Sequence, residues 1–269
     1  MNDQSFFQHK ARKRFGQNFL IDHGVIRQIV RSISPRTSDN IVEIGPGQGA
    51  ITASLLEACP KLDVVELDRN LIPKLRVKFD HMPGFTIHNE DALKFDFASL
   101  LDSDNNQLRI VGNLPYNIST PLIFHLLSYR ERVEDMHFML QKEVVLRLAA
   151  KSGDKNYGRL SVMAQYSCAI EALFEVPPEC FDPAPKVTSA IVRLTPFSEL
   201  PHIASDTEHF SAVVKQAFHQ RRKTLRNTLK PMLESVDIDQ LGINMGLRAE
   251  QLSVGDFVQL SNTLLKLTS

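Results

Sequence analysis

The sequence has little of three things: long apolar runs, cysteine and net charge. Within its 269 residues no stretch approaches the roughly 20 apolar residues that a membrane helix requires, and the N-terminus lacks the apolar segment of a signal peptide. Cys59, Cys168 and Cys180 are far apart and include no CxxC pair, which excludes a zinc knot and fits a reducing compartment. We therefore expect a cytoplasmic protein without a membrane segment or a metal site.

The charges balance, with 31 Lys and Arg residues against 31 Asp and Glu residues. Overall charge therefore neither favours nor excludes a polyanionic partner, and any basic surface has to be local. Two basic clusters are present: KARKR at 10–14, and residues 215–230, which hold six cations and no acid. Each cluster alone is as consistent with a solvated face as with a binding surface.

Short β-type segments alternate with helical segments in the N-terminal two thirds of the chain. Between most of the β-type segments, as in ITASLLEAC and PLIFHLL, apolar residues recur at three- and four-residue spacing, which is typical of helices. This alternation predicts a doubly wound α/β domain with a mostly parallel, Rossmann-like sheet covered on both faces. The predicted strands lie at residues 40–44, 62–67, 85–89, 108–112, 136–140 and 189–194.

A change of pattern marks the predicted domain boundary. The stretch 194–208 contains several Pro and Ser residues and no periodicity, and the β pattern stops beyond it. Apolar residues then recur at helical spacing, and Ser253 with Asp256 forms a capping pattern before a further helix. We therefore predict an α/β domain at residues 1–197 and a small all-helical domain at residues 198–269.

A glycine-rich turn follows the first predicted strand in VEIGPGQGAIT. Gly45, Gly47 and Gly49 allow the backbone to turn sharply and allow a ligand to lie against it without a Cβ in the way. The spacing is GxGxG and no GK[ST] follows, so the turn is not a phosphate-binding Walker loop, and the acidic Glu43 beside it also disfavours a phosphate. The turn fits a nucleoside site, although it also fits a tight turn without a ligand.

Two carboxylates follow the next two predicted strands, Glu66 after the second and Asp91 after the third. In open α/β sheets ligands bind outside the carboxyl ends of the strands, where a carboxylate can accept both ribose hydroxyls of a nucleoside. Glu66 fits that role, and Asp91 fits an acceptor for an adenine amino group. Either residue alone also fits a helix N-cap or a solvated loop. With the glycine turn they indicate a nucleoside site of a kind that NAD enzymes and S-adenosylmethionine enzymes share.

The fourth predicted strand ends in GNLPY, at the same edge of the sheet. Pro115 fixes its own φ and holds Leu114 extended, so the Leu114 carbonyl and the Asn113 amide point in fixed directions. These two oxygen acceptors suit the N–H bonds of an exocyclic amine, and the Tyr116 ring offers a flat face for a base. Asn113 and Tyr116 also fit a turn former and a strand-end aromatic. Their place beside the nucleoside site favours methyl transfer to adenine N6.

The chain closely resembles a known enzyme family in motifs that are distributed over almost its whole length. The motifs are QNFL (17–20), EIGPGQG (43–49), ELD (66–68), EDA (90–92), GNLPYNIS (112–119), MLQKEV (139–144), YGRLSV (157–162) and FDPAPKVTSAIV (181–192). The family is that of the small-subunit (16S) ribosomal RNA adenine N6,N6-dimethyltransferases of the KsgA type. The resemblance implies an S-adenosylmethionine-dependent enzyme that dimethylates N6 of two adjacent adenines in the 3′-terminal hairpin loop of 16S rRNA, during maturation of the 30S subunit.

The resemblance also implies roles for individual residues. Asn18 and Leu20 would close over the methionine end of the cofactor, and Asn113 would contact both the cofactor and the target amine. Tyr116 and Phe181 would hold the target adenine between two aromatic faces, although Phe181 alone also fits a core aromatic. The implied cofactor-binding residues are Asn18, Leu20, Gly45, Gly47, Glu66, Asp91, Ala92 and Asn113, and the implied catalytic residues are Asn113, Leu114, Tyr116 and Phe181.

An RNA partner gives the second basic cluster a role. Arg221 and Arg222 fall where the helical spacing of Phe218 and Leu225 would demand apolar residues, so the run predicts a junction between helices that exposes its guanidinium groups. We expect Arg221, Arg222 and Lys223 to bind RNA phosphates in a salt-dependent manner. The expected partner is 16S rRNA within the 30S subunit or its precursor, and we expect the protein to be a monomer.

Three other functions are considered. The first is methylation of large-subunit rRNA by an enzyme of the same fold, against which the motifs at 17–20 and 181–192 speak. The second is a non-catalytic RNA-binding assembly factor or a descendant that acts in transcription, against which the presence of Asn113, Tyr116 and Glu66 speaks. The third is a dehydrogenase, which cofactor competition would dismiss.

Overall fold

The computed structural model describes residues 17–101, 106–234 and 236–268. These described residues form two compact units, of which the first lies within 17–145 and 171–196 and the second within 146–170 and 197–268. The basic cluster at 10–14 lies outside the described residues. Within the described ranges, no helix has the length and hydropathy that a membrane crossing requires.

The first unit is built on a seven-stranded sheet. Its strand order is β4-β3-β2-β5-β6-β9-β7, in which β2 to β6 run parallel and β9 runs antiparallel to β6. Two short strands, β1 and β8, form a separate antiparallel pair. The strands are β1 Phe19–Leu20, β2 Asn40–Ile44, β3 Leu62–Val65, β4 Phe85–His88, β5 Leu108–Asn113, β6 Val133–Gln141, β7 Cys168–Val176, β8 Phe181–Asp182 and β9 Ser189–Pro196.

Helices follow most of the parallel strands. The longest helix of the first unit begins after Asp22, whose carboxylate accepts a hydrogen bond from the Val25 amide at 2.8 Å, and it buries isoleucines at three- and four-residue spacing. The helices are α1 His23–Ile33, α2 Ala50–Ala58, α3 Ile72–Phe79, α4 Ser119–Leu127, α5 Lys142–Ala149, α6 Arg159–Ser167, α7 Thr207–Ala217, α8 Leu225–Thr228 and α9 Val254–Thr268. The predicted doubly wound fold, with a mostly parallel sheet and a helical C-terminal region, is confirmed.

The order of the strands determines where a ligand can bind. Strand β2 lies between β3 and β5, so the chain winds towards one edge of the sheet from β2 to β4 and towards the other edge from β5 onwards. The turns that follow β2 and β5 therefore leave in opposite directions and open a crevice at the carboxyl ends of these strands. The glycine turn after β2 and the sequence GNLPY after β5 both lie at this crevice.

The second unit is helical and has its own hydrophobic core. Phe210, Val213, Phe257 and Leu260 from α7 and α9 are fully buried in this core. The N-terminus of α9 has the predicted capping box, in which the Ser253 amide donates to the Asp256 carboxylate at 2.8 Å. Tyr157, Val162 and Tyr166, which precede the predicted boundary, belong to the same core. The division into domains at 1–197 and 198–269 stays a prediction, and residues 146–170 group with the C-terminal residues.

Candidate functional site

A cavity of about 290 Å³ lies in the first unit at the carboxyl ends of β2, β3 and β5. Its lining is formed by the glycine turn after β2, the segments after β3 and β4, the GNLPY segment after β5, and residues 17–20. All the predicted cofactor-binding residues line it, together with Leu114 and Tyr116 of the predicted catalytic residues. Residues that are distant in the sequence are thus brought together as the strand order requires.

The glycine turn after β2 forms one wall of the cavity and packs closely against neighbouring aromatic rings. Gly45, Gly47 and Gly49 all have positive φ angles, of 67°, 59° and 81°. A Cβ on Gly49 would lie 2.5 Å from the Phe79 ring, and one on Gly47 would lie 3.0 Å from the Phe19 ring. A side chain at either position would be strained by the backbone angle, and at Gly49 it would also have to displace the Phe79 ring.

Glu66 is a buried carboxylate directly after the carboxyl end of β3. Its Oε1 accepts a hydrogen bond from the Asp68 amide at 2.7 Å, and its Oε2 accepts one from the Gly47 amide at 3.3 Å. Burial raises the pKa of Glu66 to about 7. The two amides hold both oxygens at the cavity wall, and a carboxylate oxygen has a second lone pair with which it can accept a ribose hydroxyl.

Glu43 is a second buried carboxyl group on the cavity wall, which the sequence analysis used only as an argument against phosphate. It is 1% exposed and accepts a hydrogen bond from Thr52 Oγ1 at 2.6 Å. Burial, and then the nearby Glu66, raise the pKa of Glu43 to about 7. Two carboxyl groups on one wall disfavour an anionic ligand and suit a cationic one, such as a sulfonium.

Asp91 and Ala92 line the cavity after β4. Asp91 Oδ1 accepts a hydrogen bond from the Leu93 amide at 3.0 Å, so this carboxylate stabilises the turn that follows β4. A nearby amide, Asn89 Nδ2, donates to the Glu66 carbonyl at 2.7 Å and ties the segment after β4 to the segment after β3. Asp91 therefore combines a structural bond with a place on the cavity wall.

Asn113 and Leu114 are fixed by bonds to neighbouring segments. Asn113 Nδ2 donates to the Asn18 carbonyl at 3.0 Å, which leaves the side-chain oxygen of Asn113 as an acceptor. The Leu114 amide donates to the Met139 carbonyl on β6 at 3.2 Å, and Pro115 follows at once. The bond from Asn113 to Asn18 also ties residues 17–20, which line the cavity, to the end of β5.

Tyr116 lies at the cavity with its hydroxyl anchored. The hydroxyl shares a hydrogen bond of 2.8 Å with Ser189 Oγ at the start of β9, and burial raises the pKa of the Tyr116 phenol. Ser189 is a supporting residue that the sequence analysis missed, although it lies within the motif FDPAPKVTSAIV. The tyrosine is therefore tethered at its polar end, which restricts the positions of its ring.

The structure does not bring Phe181 to the cavity. Phe181 pairs with Leu20 across the short β1–β8 ladder, is 4% exposed, and packs in the core of the first unit. Among the described residues it is not one of those that line the cavity. This placement corresponds to the core aromatic that the sequence also allowed, and the role of Phe181 as a second stacking face stays a prediction.

The predicted RNA-binding residues lie in the second unit. Arg221, Arg222 and Lys223 are exposed in the turn between α7 and α8. The predicted junction between helices is confirmed. Whether these residues bind RNA stays a prediction.

A doubly wound sheet with a nucleoside-sized, acid-lined cavity and an Asn-Leu-Pro-Tyr segment at its switch point defines an S-adenosylmethionine-dependent methyltransferase. The comparisons with known proteins identify the family. The model of the ribosomal RNA adenine dimethylase family matches residues 8–266, and the chain belongs to that family. It is therefore an rRNA adenine dimethyltransferase that depends on S-adenosylmethionine, and the predicted family, enzyme class and cofactor are confirmed.

Two relatives and two solved structures illustrate the similarity. A "ribosomal RNA small subunit methyltransferase A" of Saccharophagus degradans is 64% identical over 95% of both chains, and one of Pseudomonas aeruginosa is 59% identical over 97% of both. A dimethyladenosine transferase from Plasmodium falciparum is 25% identical, with a TM-score of 0.73 over 90% of this chain and 95% of that one. The 23S rRNA methyltransferase ErmE is 25% identical, with a TM-score of 0.67 over 92% and 99%.

Proposed function

We propose that the protein transfers methyl groups from S-adenosylmethionine to N6 of two adjacent adenines in the 3′-terminal hairpin loop of 16S rRNA, during maturation of the 30S subunit. The observation that carries this proposal is the geometry at the end of β5. There the Asn113 side-chain oxygen and the Leu114 backbone are fixed beside a nucleoside cavity that Glu66 and Asp91 also line. The names of the small-subunit relatives support the choice of 16S rRNA.

The cofactor would lie in the cavity with its ribose hydroxyls on Glu66 and its adenine near Asp91 and Ala92. The backbone of Gly45 and Gly47 would form the bed beneath it, and Asn18 and Leu20 would cover its methionine end. When bound, S-adenosylmethionine supplies an electrophilic methyl group on a positively charged sulfur. The acidic wall formed by Glu43 and Glu66 favours that positive charge.

The residues after β5 would make a poor nucleophile reactive. The lone pair of adenine N6 is delocalised into the ring. Two carbonyl acceptors, Asn113 Oδ1 and the Leu114 oxygen, would hold both N6 hydrogens, favour a pyramidal nitrogen and stabilise the positive charge that grows on it. The nitrogen becomes acidic only after it has bonded to the methyl group, so its proton can leave to water without a general base. Tyr116 would stack on the base and align N6 with the methyl group, and such positioning can account for about 7–11 kcal/mol of a barrier.

Asn113→Ala tests this role. We expect the variant to retain binding to 30S subunits within about twofold and to lose methyl transfer by at least about 10²-fold, the typical loss for one preorganised polar group. The measurement is transfer of labelled methyl from the cofactor to 30S subunits from cells that lack this methylation.

Asn106→Ala is the matched control. Asn106 is exposed and lies just before the first residue of β5, whereas Asn113 is the last residue of this strand. It should retain wild-type activity. Full activity of Asn113→Ala would remove the proposed role of the segment, and parallel loss of subunit binding would show that Asn113 acts in docking.

The alternative, methylation of 23S rRNA, is not favoured, because the 23S rRNA methyltransferase ErmE is 25% identical whereas the small-subunit relatives are 64% and 59% identical. Primer extension across both rRNAs separates the two, since dimethylated adenines block copying. We further propose that the protein acts as a cytoplasmic monomer on the 30S subunit or its precursor, with Arg221, Arg222 and Lys223 at the rRNA. Light scattering of the purified protein tests the monomeric state, for which we expect the mass of one chain, 30.4 kDa.

A further inference from the structure

The loop that joins α5 to α6, residues 150–158, has a fixed conformation within the second unit. The Lys151 amide donates to the Asp154 carboxylate at 2.9 Å, and the Tyr157 amide donates to the Asp154 carbonyl at 3.0 Å. Gly153 turns the chain with a φ of 89°. The side chains of Lys151 and Lys155 are exposed on this loop.

The α5–α6 loop is fastened to two C-terminal segments. One guanidinium nitrogen of Arg221 donates to the Lys155 carbonyl at 2.6 Å and to the Tyr157 carbonyl at 3.3 Å. The Gly153 amide donates to the Glu250 carbonyl at 2.7 Å, and the Glu250 carboxylate lies 3.7 Å from Arg221. Arg221 therefore bonds the loop on which Lys155 stands.

The two C-terminal segments are themselves adjacent. Thr224 and Arg248 form an antiparallel bridge, and the Leu225 amide donates to the Leu247 carbonyl at 2.8 Å. Three segments thus form one basic surface, which also contains the acids Asp154 and Glu250. Its exposed cations are Lys151, Lys155, Arg159, Arg221, Arg222, Lys223, Arg226 and Arg248.

The cations of this basic surface are not equivalent. Arg221 uses its guanidinium on backbone carbonyls, whereas Arg222 and Lys223 make no side-chain hydrogen bond or ion pair within the described ranges. A guanidinium that holds two carbonyls in place restricts the loop and with it the position of the neighbouring lysines. An excess of exposed cations over two acids suits a polyanion such as an RNA backbone.

We propose that Lys151 and Lys155 of the α5–α6 loop contact rRNA phosphates, and that Arg221 is a positioning residue that holds this loop against the other two segments. The proposal rests on the proposed function, because it takes rRNA as the partner. It assigns the α5–α6 loop to the rRNA interface. In this proposal Arg221 contributes to rRNA binding by holding Lys155 in position, and not only by its own positive charge.

The test measures binding of the full-length protein to unmethylated 30S subunits over a range of KCl concentrations. Log affinity falls as log salt rises. We expect Lys155→Ala to make this negative slope shallower by about one, and the double variant Lys151→Ala, Lys155→Ala to make it shallower by about two. Arg222→Ala, the matched control for Arg221, should make the slope shallower by about one. Arg221→Ala should make it shallower by more than Arg222→Ala does, because the phosphate contacts of Lys151 and Lys155 are lost when the loop is no longer held.

A double-mutant comparison isolates the positioning role. Lys155→Ala should have little further effect on affinity in the Arg221→Ala background, and its full effect in the Arg222→Ala background. Trypsin should cut at Lys151 and Lys155 faster in Arg221→Ala than in Arg222→Ala, and Arg221→Lys should restore part of the affinity. Unchanged amide exchange in α6, α7 and α9 confirms that the second unit of each variant is folded, and unchanged cofactor binding confirms that the first unit is folded.

Wild-type affinity and slope for the Lys151, Lys155 double variant would overturn the rRNA contact of the loop. Additive effects of Arg221→Ala and Lys155→Ala would overturn the positioning role. Failure of the proposed function is distinguishable from both, because it would appear as absence of methyl transfer by the wild-type protein to the same subunits.

Discussion

At the scale of single residues, the cavity wall holds two buried carboxyl groups that are bonded to no cation within the described part of the chain. Glu43 and Glu66 are 1% and 7% exposed, and their hydrogen bonds come from a hydroxyl and from backbone amides. Because burial disfavours the charged form, each has a pKa of about 7 in the folded protein, against 4.5 for an unperturbed group. The site therefore carries an electrostatic cost that a cationic ligand relieves.

Glu43→Gln tests this cost through the pH dependence of stability. Between about pH 4.5 and 7 the native protein holds a proton on Glu43 that the unfolded chain has released, so the free energy of unfolding falls as pH rises. We expect Glu43→Gln to remove this fall, which is on the order of 3 kcal/mol for a shift of this size. Thermal unfolding at pH 4.5, 6 and 8 measures the slope.

Glu57→Gln is the matched control, because Glu57 is an exposed carboxylate on the same helix as Thr52. It should leave the slope unchanged. A loss of stability of equal size at every pH, in addition to the removed slope, would reflect the cost of the buried amide. An unchanged slope in that variant would refute the electrostatic cost.

At this scale the sequence predicted much of the site. The glycine turn, Glu66, Asp91 and Asn113 could be predicted because each follows a strand, and the ends of parallel strands meet at one edge. The support of Tyr116 by Ser189 could not, because it joins residues 73 apart whose pairing depends on the place of β9 in the sheet. Phe181 shows the same limit, since its motif is clear but its burial depends on the β1–β8 ladder.

At the scale of secondary-structure elements, all six predicted strands are present, and no strand end differs from its prediction by more than three residues. Strand β7 was missed because Glu171 and Glu175 interrupt its apolar pattern, and the intact pattern is the main signal for a strand. Strands β1 and β8 have two residues each, which is too short for any periodicity. Elements that are buried on both faces, such as β2 and β5, were the easiest to predict.

A buried charge network joins four elements at the amino ends of the strands. The Arg109 guanidinium on β5 donates to Asp135 on β6 at 2.6 and 3.0 Å and to Asp39 before β2 at 2.7 Å. It also donates to the Ile33 carbonyl at the end of α1 at 2.6 Å. Although burial opposes its charge, bonds to Arg109 and Arg36 hold the pKa of Asp39 below its usual value.

Arg109→Met should destabilise the protein by about 3–5 kcal/mol, because it leaves the buried Asp135 without its arginine and leaves Asp39 with only the exposed Arg36. The loss should shrink below about pH 4, because Asp39, whose pKa the bonds to Arg109 and Arg36 lower, then takes up a proton. Urea unfolding at pH 7 and pH 3.5 measures both effects. Arg36→Ala is the control: Arg36 also bonds Asp39, but its side chain is 56% exposed, and it should cause only a small change. Equal losses for the two variants would contradict the network's importance.

At the scale of the whole molecule, the chain leaves the first unit after residue 145, returns to it at residue 171, and leaves it again after residue 196. The composition of the sequence indicated the boundary near residue 196 but not the one near residue 145. The boundary that was missed lies where α5 and α6 follow β6 and precede β7, and their patterns are like those of the other helices. The second unit therefore consists of two separate segments. Its core includes the ring of Tyr166, 4.7 Å from that of Phe210, and the ring of Tyr157, 6.2 Å from that of Phe218.

Phe257→Ala tests whether these two segments behave as one cooperative structure. Phe257 is fully buried and lies 5.6 Å from the Phe218 ring, so its truncation should cost about 3–5 kcal/mol. We expect amide exchange to accelerate by about 10²- to 10³-fold in α6, α7 and α9 together, while β2, β3 and β5 keep their protection. Hydrogen exchange of the full-length protein, read by mass spectrometry, gives these rates element by element.

The control for Phe257→Ala is Leu55→Ala, which truncates a fully buried side chain in the core of the first unit. It should accelerate exchange in β2 and β3 and leave α7 and α9 protected. If Phe257→Ala accelerated exchange in α7 and α9 but not in α6, the helical domain would begin near residue 198, as composition alone suggested. Joint acceleration would instead place residues 146–170 in that domain, because residues that share a core lose protection together.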